Sequence, residues 1–412
     1  MAAQNEIVNV SESDAQAMAV RPSDPRLAKW LDGYPAEVFD ERLYQSIELI
    51  ERYSTELAVD LAERLNLLEH LKAWHSLDDL CRLLAFQPRF KPALNWILER
   101  LVQTGCAEGR ADSGIRLYRL CRAPKGTALA GLRAAAARVD PANAATLDLL
   151  DFAANLYPAV AKDPQGSDQN LLGPEGVKLW LDYFSNDNRT YAVNNWVGAV
   201  LAANRLAGRR TVRILEVGAG AGSATEVLLR ILADRGLLPR VERYLVTEPN
   251  GFFRRHAQRK LSCQYGNLPL EWAALNLDLP WNVQGIGAAE FDLVYGVNVM
   301  HIARNLLFSL NQARLALAAG GWLVIGECLR PYCNQPIYPE FMFQILQSFT
   351  DVETDPEIRP NPGFLTAEQW LLAVARAGFI HAEVAPNIER IREIYPHFFT
   401  GAICGQTSRT EQ

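Results

Sequence analysis

The stretch ILEVGAGAGSATEVLL, residues 214–229, constrains this chain more than any other. An apolar, β-branched run stops at Val217, glycines follow at Gly218, Gly220 and Gly222, and a helical pattern begins at once. Glycine lets the backbone turn tightly and approach a ligand where a Cβ would collide. A buried strand that turns this sharply into a helix belongs to an α/β sheet, and the sequence around it repeats the same grammar. From about Thr211 the strands read TVRILEV, RYLVTE, LEWAALNL, FDLVYGV and GWLVIGE, with helical ATEVLLRILADRG and ARNLLFSLNQARLALAAG among them. Strands this uniformly apolar are covered on both faces, as in a parallel sheet. LTAEQWLLAVARAGF predicts a helix with a capping box from Thr366 to Gln369, and IHAEVAP with FFTGAICGQ predicts a closing hairpin. The expected fold class is α/β, a Rossmann-like sheet.

The N-terminal half is different. From Arg26 to about Asn204 apolar residues recur at helical spacing, as in DERLYQSIELIERYSTELAVDLAERL. Ser76 is placed to cap a helix starting LDDLCRLL, Pro88 stands near the start of FKPALNWILERLVQTG, and Gly105 closes that helix. CAEGRADSGIRLYRL then reads as two strands about a DSG turn, and helix, helix, β-ribbon is the outline of a winged helix. A chain of 412 residues exceeds one ordinary core, so the expected division is a polar tail over 1–25, a helical, winged-helix-like domain over 26–180 and the α/β domain over 181–408.

The winged outline raises the question of DNA. Its second helix offers Arg89, Lys91 and Arg100 but also Glu99, and the chain carries a net charge of −6. A nucleic-acid footprint needs a basic face, so no nucleic-acid partner is expected, and the short RKLS and AGRR runs read as solvated surface. Seven scattered cysteines suggest free thiols in a reducing compartment, and the nearest pair of interest, Cys328 and Cys333, lacks the companions of a zinc site. MAAQNEIVNVSESDAQ has no basic n-region followed by an apolar core, and no uncharged apolar run reaches the roughly 18 residues of a membrane span. A cytoplasmic protein without a membrane partner is expected.

Acidic residues at strand ends give the glycine turn its meaning. RYLVTEPN sets Glu248 at the tip of the second strand, where a carboxylate accepts from two ribose hydroxyls. LNLDLPW sets Asp278 after the third, suited to an amino group. The ligand crevice of an open parallel sheet lies at the carboxyl ends of its strands, which gathers all three features. The spacing here is G-x-G-x-G rather than G-x-G-x-x-G, a poorer match to a pyrophosphate than to a ligand without phosphates. His301 follows the fourth strand and Glu327 ends the fifth, and neighbouring strand ends bring side chains together. A carboxylate beside an imidazole fixes its tautomer and stabilises its protonated form.

ILEVGAGAGS, VTEPN, LNLDLP, FDLVYGVNVMH and AAGGWLVIGE together resemble class I methyltransferases, and more narrowly the C-methyltransferase domains of polyketide synthases. The likeness covers roughly Tyr183 to Gly326. It implies that S-adenosyl-L-methionine is the cofactor, bound by Gly218, Gly220 and Glu248, with Glu216 facing its methionine end and Asp278, Leu277 and Asn298 completing the contacts. It also implies a catalytic pair, His301 and Glu327, that deprotonates an activated carbon. Nothing in the sequence resembles a carrier or ketosynthase segment, so the substrate is expected to be a small molecule, free or carrier-tethered. The N-terminal half is similar to that of small-molecule O-methyltransferases, which implies a homodimer and a helical wall to the substrate pocket.

Three other readings stay open on sequence: an O-methyltransferase using His301 on a hydroxyl, a winged-helix regulator with a degenerate methyltransferase domain, and a nicotinamide dehydrogenase, which the glycine spacing disfavours. Tyr338, Phe341, Phe343 and Phe364 are candidates to line an apolar substrate cavity, with core packing as the alternative for each. Tyr183, Phe184 and Tyr191 either cover the cofactor or staple the domains.

Overall fold

The computed structural model describes residues 24–124, 128–163 and 170–408. The expected tail over 1–25 falls outside them except for its last two residues. Two compact units emerge. Within the described residues the first comprises 41–180 and 334–350, and the second comprises 24–40, 181–333 and 351–408.

In the first unit, α1 (Glu41–Arg64) buries Leu43, Ile47, Ile50, Leu57 and Leu61, the helical stripe that its sequence promised. Helix α2 (Leu77–Leu83) begins in a capping box between Ser76 and Asp79, and α3 (Lys91–Gln103) follows a 3₁₀ turn at Pro88–Phe90. Strands β2 (Ala107–Asp112) and β3 (Ile115–Leu120) pair antiparallel through a turn in which Ser113 and Gly114 have φ of 49° and 81°, and β1 (His75–Ser76) pairs with β3. Helices α4 (Leu129–Val139) and α5 (Ala144–Lys162) complete the layer beside α1.

The segment 334–350 docks onto this layer through its helical turn Tyr338–Phe343. Phe341 stacks on Tyr157 at 4.9 Å, and the Tyr157 hydroxyl donates to the Phe341 carbonyl at 2.6 Å. Glu51 on α1 ties the core together: one oxygen pairs with Arg100, the other accepts the Tyr338 N–H at 2.9 Å, and both charged side chains are buried. Tyr338 and Phe341 are thus core residues of the helical unit, and Phe343 stacks on Trp180 at 5.3 Å.

The second unit is built on a seven-stranded sheet. Ahead of it runs α6 (Arg189–Leu206); then come β4 (Val212–Val217), α7 (Ser223–Asp234), β5 (Val241–Thr247), α8 (Gly251–Tyr265), β6 (Leu270–Ala273), β7 (Phe291–Val297), α9 (Leu306–Ala316), β8 (Leu317–Cys328), α10 (Ala367–Arg376), β9 (Ile380–Ala385) and β10 (Thr400–Gln406). The order is β6-β5-β4-β7-β8-β10-β9, with the first five strands parallel and β10 antiparallel to both neighbours. The sequence-based expectation of a parallel, doubly wound sheet holds, with differences in detail. LEWAALNL forms a strand only at Leu270–Ala273, and the last turn of the helix expected over ARNLLFSLNQARLALAAG is strand from Leu317. The closing pair is not a tight hairpin, because helix Ile388–Arg392 lies between its strands. The topology reverses between β4 and β7, and a crevice opens at the carboxyl ends of the strands at such a switch point.

Candidate active site

The candidate site is set by strand ends on either side of this switch point. After Val217 the chain passes through Gly218, Gly220 and Gly222 at φ of 63°, 54° and 81°, the left-handed region that costs other residues about 1–2 kcal/mol. The glycines are not equivalent. A Cβ on Gly218 would lie 2.2 Å from Val299 Cγ2, and one on Gly222 would lie 2.9 Å from Ala257 Cβ, so both are needed for packing. A Cβ on Gly220 would meet nothing within 4 Å. That is the open side of the turn, where a ligand can come against bare backbone.

Glu248, just past β5, reaches back to this turn. Its Oε2 accepts the Gly220 N–H at 2.9 Å and its Oε1 accepts the Asn250 N–H at 2.8 Å. Burial pushes its pKa above the usual carboxylate value, and those two N–H donors pull it part of the way back. Each oxygen keeps a lone pair for a further donor such as a sugar hydroxyl.

Glu216 points from β4 into the buried side of the sheet. It is fully buried; Oε2 accepts the Tyr244 hydroxyl at 2.6 Å, while Oε1 has no well-formed hydrogen bond among the described residues. Desolvation pushes its pKa up to about 7, against the smaller opposing pulls of the Tyr244 and Thr225 hydroxyls. Tyr295, its register partner on β7, likewise has a buried hydroxyl without a partner. An acceptor oxygen this costly to leave unmet is a place that suits a donor from a bound molecule or water.

Across the switch point the loop after β7 carries His301 on a 3₁₀ turn, Met300–Ile302. Its Nδ1 lies 2.8 Å from Oε2 of Glu327, near the end of β8, and both side chains are buried. Glu327 Oε1 accepts the backbone N–H groups of Met300 at 3.0 Å and His301 at 3.3 Å. Two backbone N–H groups and an imidazole thus surround one carboxylate. Phe364, one of the four candidate aromatics, lies against the imidazole with ring centroids 4.4 Å apart.

The remaining expected residues sit around this frame. Asp278 Oδ1 accepts the Arg304 N–H at 2.7 Å, which ties the loop after β6 to the His301 loop, and the residue is exposed. Leu277 is nearly buried, and its carbonyl accepts the Ser309 hydroxyl. Asn298, at φ 49°, accepts the Cys328 N–H at 3.2 Å and so pins the ends of β7 and β8. Tyr183, Phe184 and Tyr191 form a mutual cluster with centroids 5.2–5.4 Å apart. The Phe184 carbonyl accepts from Ser223 at the start of α7, which places this cluster beside the glycine turn.

Arg359, in DPEIRPNPG, is a residue that sequence reasoning misses. It is 2% exposed and donates to the carbonyls of His301, Ala303, Arg304 and Glu353. An arginine in an aperiodic, proline-flanked loop carries no pattern from which its burial can be read.

Elsewhere the cations that raised the question of DNA have partners: Lys91 pairs with Asp78 and Arg100 is buried against Glu51. On α8 a surface hollow of about 410 Å³ is lined by Phe252, Arg255, His256, Arg259 and Lys260 and includes none of the strand-end residues. Among the described residues no cluster of His, Cys, Asp and Glu could hold a metal, and no helix is long and apolar enough to cross a membrane.

With this geometry in place, comparison with known proteins is specific. Residues 215–323 match the family model described as a methyltransferase domain. Over 172 residues the chain is 30% identical to a highly reducing polyketide synthase, lcsB, of Purpureocillium lilacinum, covering 42% of this chain and 6% of that protein. The chain therefore corresponds to a small part of that relative's length. The structure of the CurJ carbon methyltransferase superposes with a TM-score of 0.74 at 21% identity, over 93% of this chain and 96% of that one. The trans-methyltransferase CalH, solved with SAH, gives 0.59 at 18% identity over 89% and 92% of the two chains. At these identities the structural likeness establishes a common fold.

Proposed function

We propose, for a chain that carries a methyltransferase domain over residues 215–323, that it is an S-adenosylmethionine-dependent C-methyltransferase acting on the activated carbon of a polyketide-like substrate. The observation that carries this reading is the buried contact of 2.8 Å between His301 Nδ1 and Glu327 Oε2 at neighbouring strand ends. The cofactor would be held by the backbone of Gly218 and Gly220, by Glu248 at its ribose, and by Glu216, Leu277, Asp278 and Asn298 around it. The open face of Gly220 and the unmet Glu216 oxygen fit such a guest. Bound there, S-adenosylmethionine supplies a methyl group made electrophilic by its sulfonium.

The chain's own part is positioning and proton removal. With Nδ1–H donated to Glu327, the basic nitrogen of His301 is Nε2, and the carboxylate stabilises the imidazolium formed when Nε2 takes a proton. A carbon between two carbonyls gives up that proton to an imidazole far more readily than an ordinary carbon does, and the carbanion so formed would be the acceptor for the methyl, whose bond to sulfur would break to leave the neutral thioether S-adenosylhomocysteine. General-base help of this kind contributes about 10²- to 10⁴-fold. Phe364 excludes water from one side of the ring.

The substrate class is supported by likeness to a region of a polyketide synthase, and carrier tethering is part of the same proposal. The test supplies methyl-labelled S-adenosylmethionine together with a 3-oxoacyl thioester and locates the label. Label on the carbon between the carbonyls is expected; label on oxygen replaces the reading with O-methylation.

A further inference from the structure

The His301 loop is held from outside by a buried cation, Arg359, whose hydrogen bonds among the described residues all go to backbone carbonyls. Arg359 Nη1 donates to the carbonyls of His301 at 3.2 Å and Ala303 at 2.9 Å, Nη2 donates to that of Arg304 at 2.8 Å, and Nε donates to that of Glu353 at 3.0 Å. Four of the five guanidinium donors' directions are thereby committed to backbone, three of those bonds lying within residues 301–304. Reciprocal backbone bonds of 2.9 Å between Asp355 and Arg359 fix the root of the side chain. The Glu353 N–H also donates to the Arg304 carbonyl at 2.8 Å, and Asn305 donates to the Glu353 carboxylate at 2.7 Å. From the other side Asp278 takes the Arg304 N–H.

Burying a guanidinium is costly, and burial pulls the Arg359 pKa down to about 10, with Glu353 and Asp278 pulling the other way. A loop that only needed to be closed has cheaper means, such as an amide or a proline. A rigid planar fork that reads several carbonyls at once is what fixes a backbone path. The path fixed here carries the imidazole, whose own carbonyl is one of the four acceptors.

We propose that Arg359 is a positioning residue for His301, holding the loop so that Nδ1 meets Glu327. The proposal rests on the His301–Glu327 pair of the preceding section. It makes the segment 353–359 part of the support of the catalytic centre, although no substrate or cofactor contact is assigned to it.

The test needs no substrate. A buried Nδ1–H donated to a carboxylate gives a low-field proton resonance, identified by its loss in His301→Gln. The 412-residue chain is compared as wild type, Arg359→Lys and Arg359→Gln, with folding checked by circular dichroism and S-adenosylmethionine affinity by calorimetry. Lysine keeps the charge but cannot span the same carbonyls, so the resonance is expected to broaden or vanish in both variants while affinity changes less than about threefold, a small effect beside a lost charged hydrogen bond. Added guanidinium is expected to restore it in Arg359→Gln. If Arg359→Gln does not fold, Arg359→Lys decides alone. An unchanged resonance in a folded variant overturns the positioning role and leaves the pair intact. A wild-type protein without the resonance removes the pair, and this proposal with it.

Discussion

Two glutamates at strand ends of one sheet, Glu216 on β4 and Glu327 on β8, are equally inaccessible to solvent and are treated in opposite ways. Glu327 takes two backbone N–H groups on one oxygen and the His301 imidazole on the other. Glu216 has the Tyr244 hydroxyl on one oxygen and, among the described residues, no well-formed hydrogen bond on the other, and burial pushes it up to about 7 against the weaker pulls of the Tyr244 and Thr225 hydroxyls. A carboxylate fully supplied with donors is a fixed part that holds something else in place. One left half-supplied is a site where a proton, a water or a ligand changes the energy of the protein. The sheet therefore has a finished end at β8 and an unfinished end at β4, and the glycine turn lies at the unfinished one.

The largest expected effect is at the finished end. His301→Ala should lower the rate of methyl transfer by about 10²–10⁴-fold. S-Adenosylmethionine affinity should stay nearly constant, because His301 is not among the residues proposed to hold the cofactor. Single-turnover measurement with labelled cofactor checks the rate and calorimetry the affinity; an unaffected rate with a responsive substrate would falsify the general-base role.

At the unfinished end the effect is on stability and depends on pH. A carboxyl whose pKa rises from 4.5 to about 7 on folding binds its proton more tightly in the folded state. Its contribution is therefore whole below pH 4.5 and is lost as pH climbs through about 7. A shift of that span corresponds to on the order of 3 kcal/mol. Glu216→Gln cannot titrate, so urea unfolding at pH 5 and pH 8 should show the variant gaining on wild type by that order as pH rises. A gap that does not vary with pH would mean that the second oxygen has found a donor in solution and the two ends are alike.

The same contrast explains what the sequence could and could not tell. Strand-and-helix alternation was legible because both faces of the sheet are covered, which forces continuous apolar strands such as FDLVYGV, buried throughout. The glycine turn, Glu248, His301 and Glu327 were legible because strand ends are positions that a pattern can count. Their partners were not. The Tyr244 hydroxyl under Glu216 sits in a strand where a tyrosine reads as one more large apolar residue. At Asp278 the strand-end position suits an acceptor for an amino group, whereas the bond that its Oδ1 makes to the Arg304 N–H joins a loop met only after folding. For Tyr338 and Phe341 the sequence leaves pocket lining and core packing open, because the packing of segment 334–350 with α1 and α5 is a contact that no local pattern carries.

Glu248→Ala tests whether the unfinished end receives the cofactor. The change removes a charged acceptor from the turn, and hydrogen bonds to charged groups are worth about 1.5–3 kcal/mol, so calorimetry should show S-adenosylmethionine binding weakened more than tenfold. Unaltered binding would mean that this carboxylate only braces Gly220 and Asn250, which would make it a fixed part like Glu327.

The smallest effect on the fold, and the sharpest discrimination, comes from Gly220→Ala. Its φ of 54° makes any side chain unfavourable there by about 1–2 kcal/mol, but the added Cβ meets no protein atom within 4 Å. Thermal unfolding should therefore show a modest loss of stability, whereas the new methyl occupies the open side of the turn and should weaken cofactor binding well beyond what the strain explains. If stability falls but binding does not, the guest lies elsewhere than against Gly220, and the open face of this turn is a feature of the loop rather than of the cofactor site.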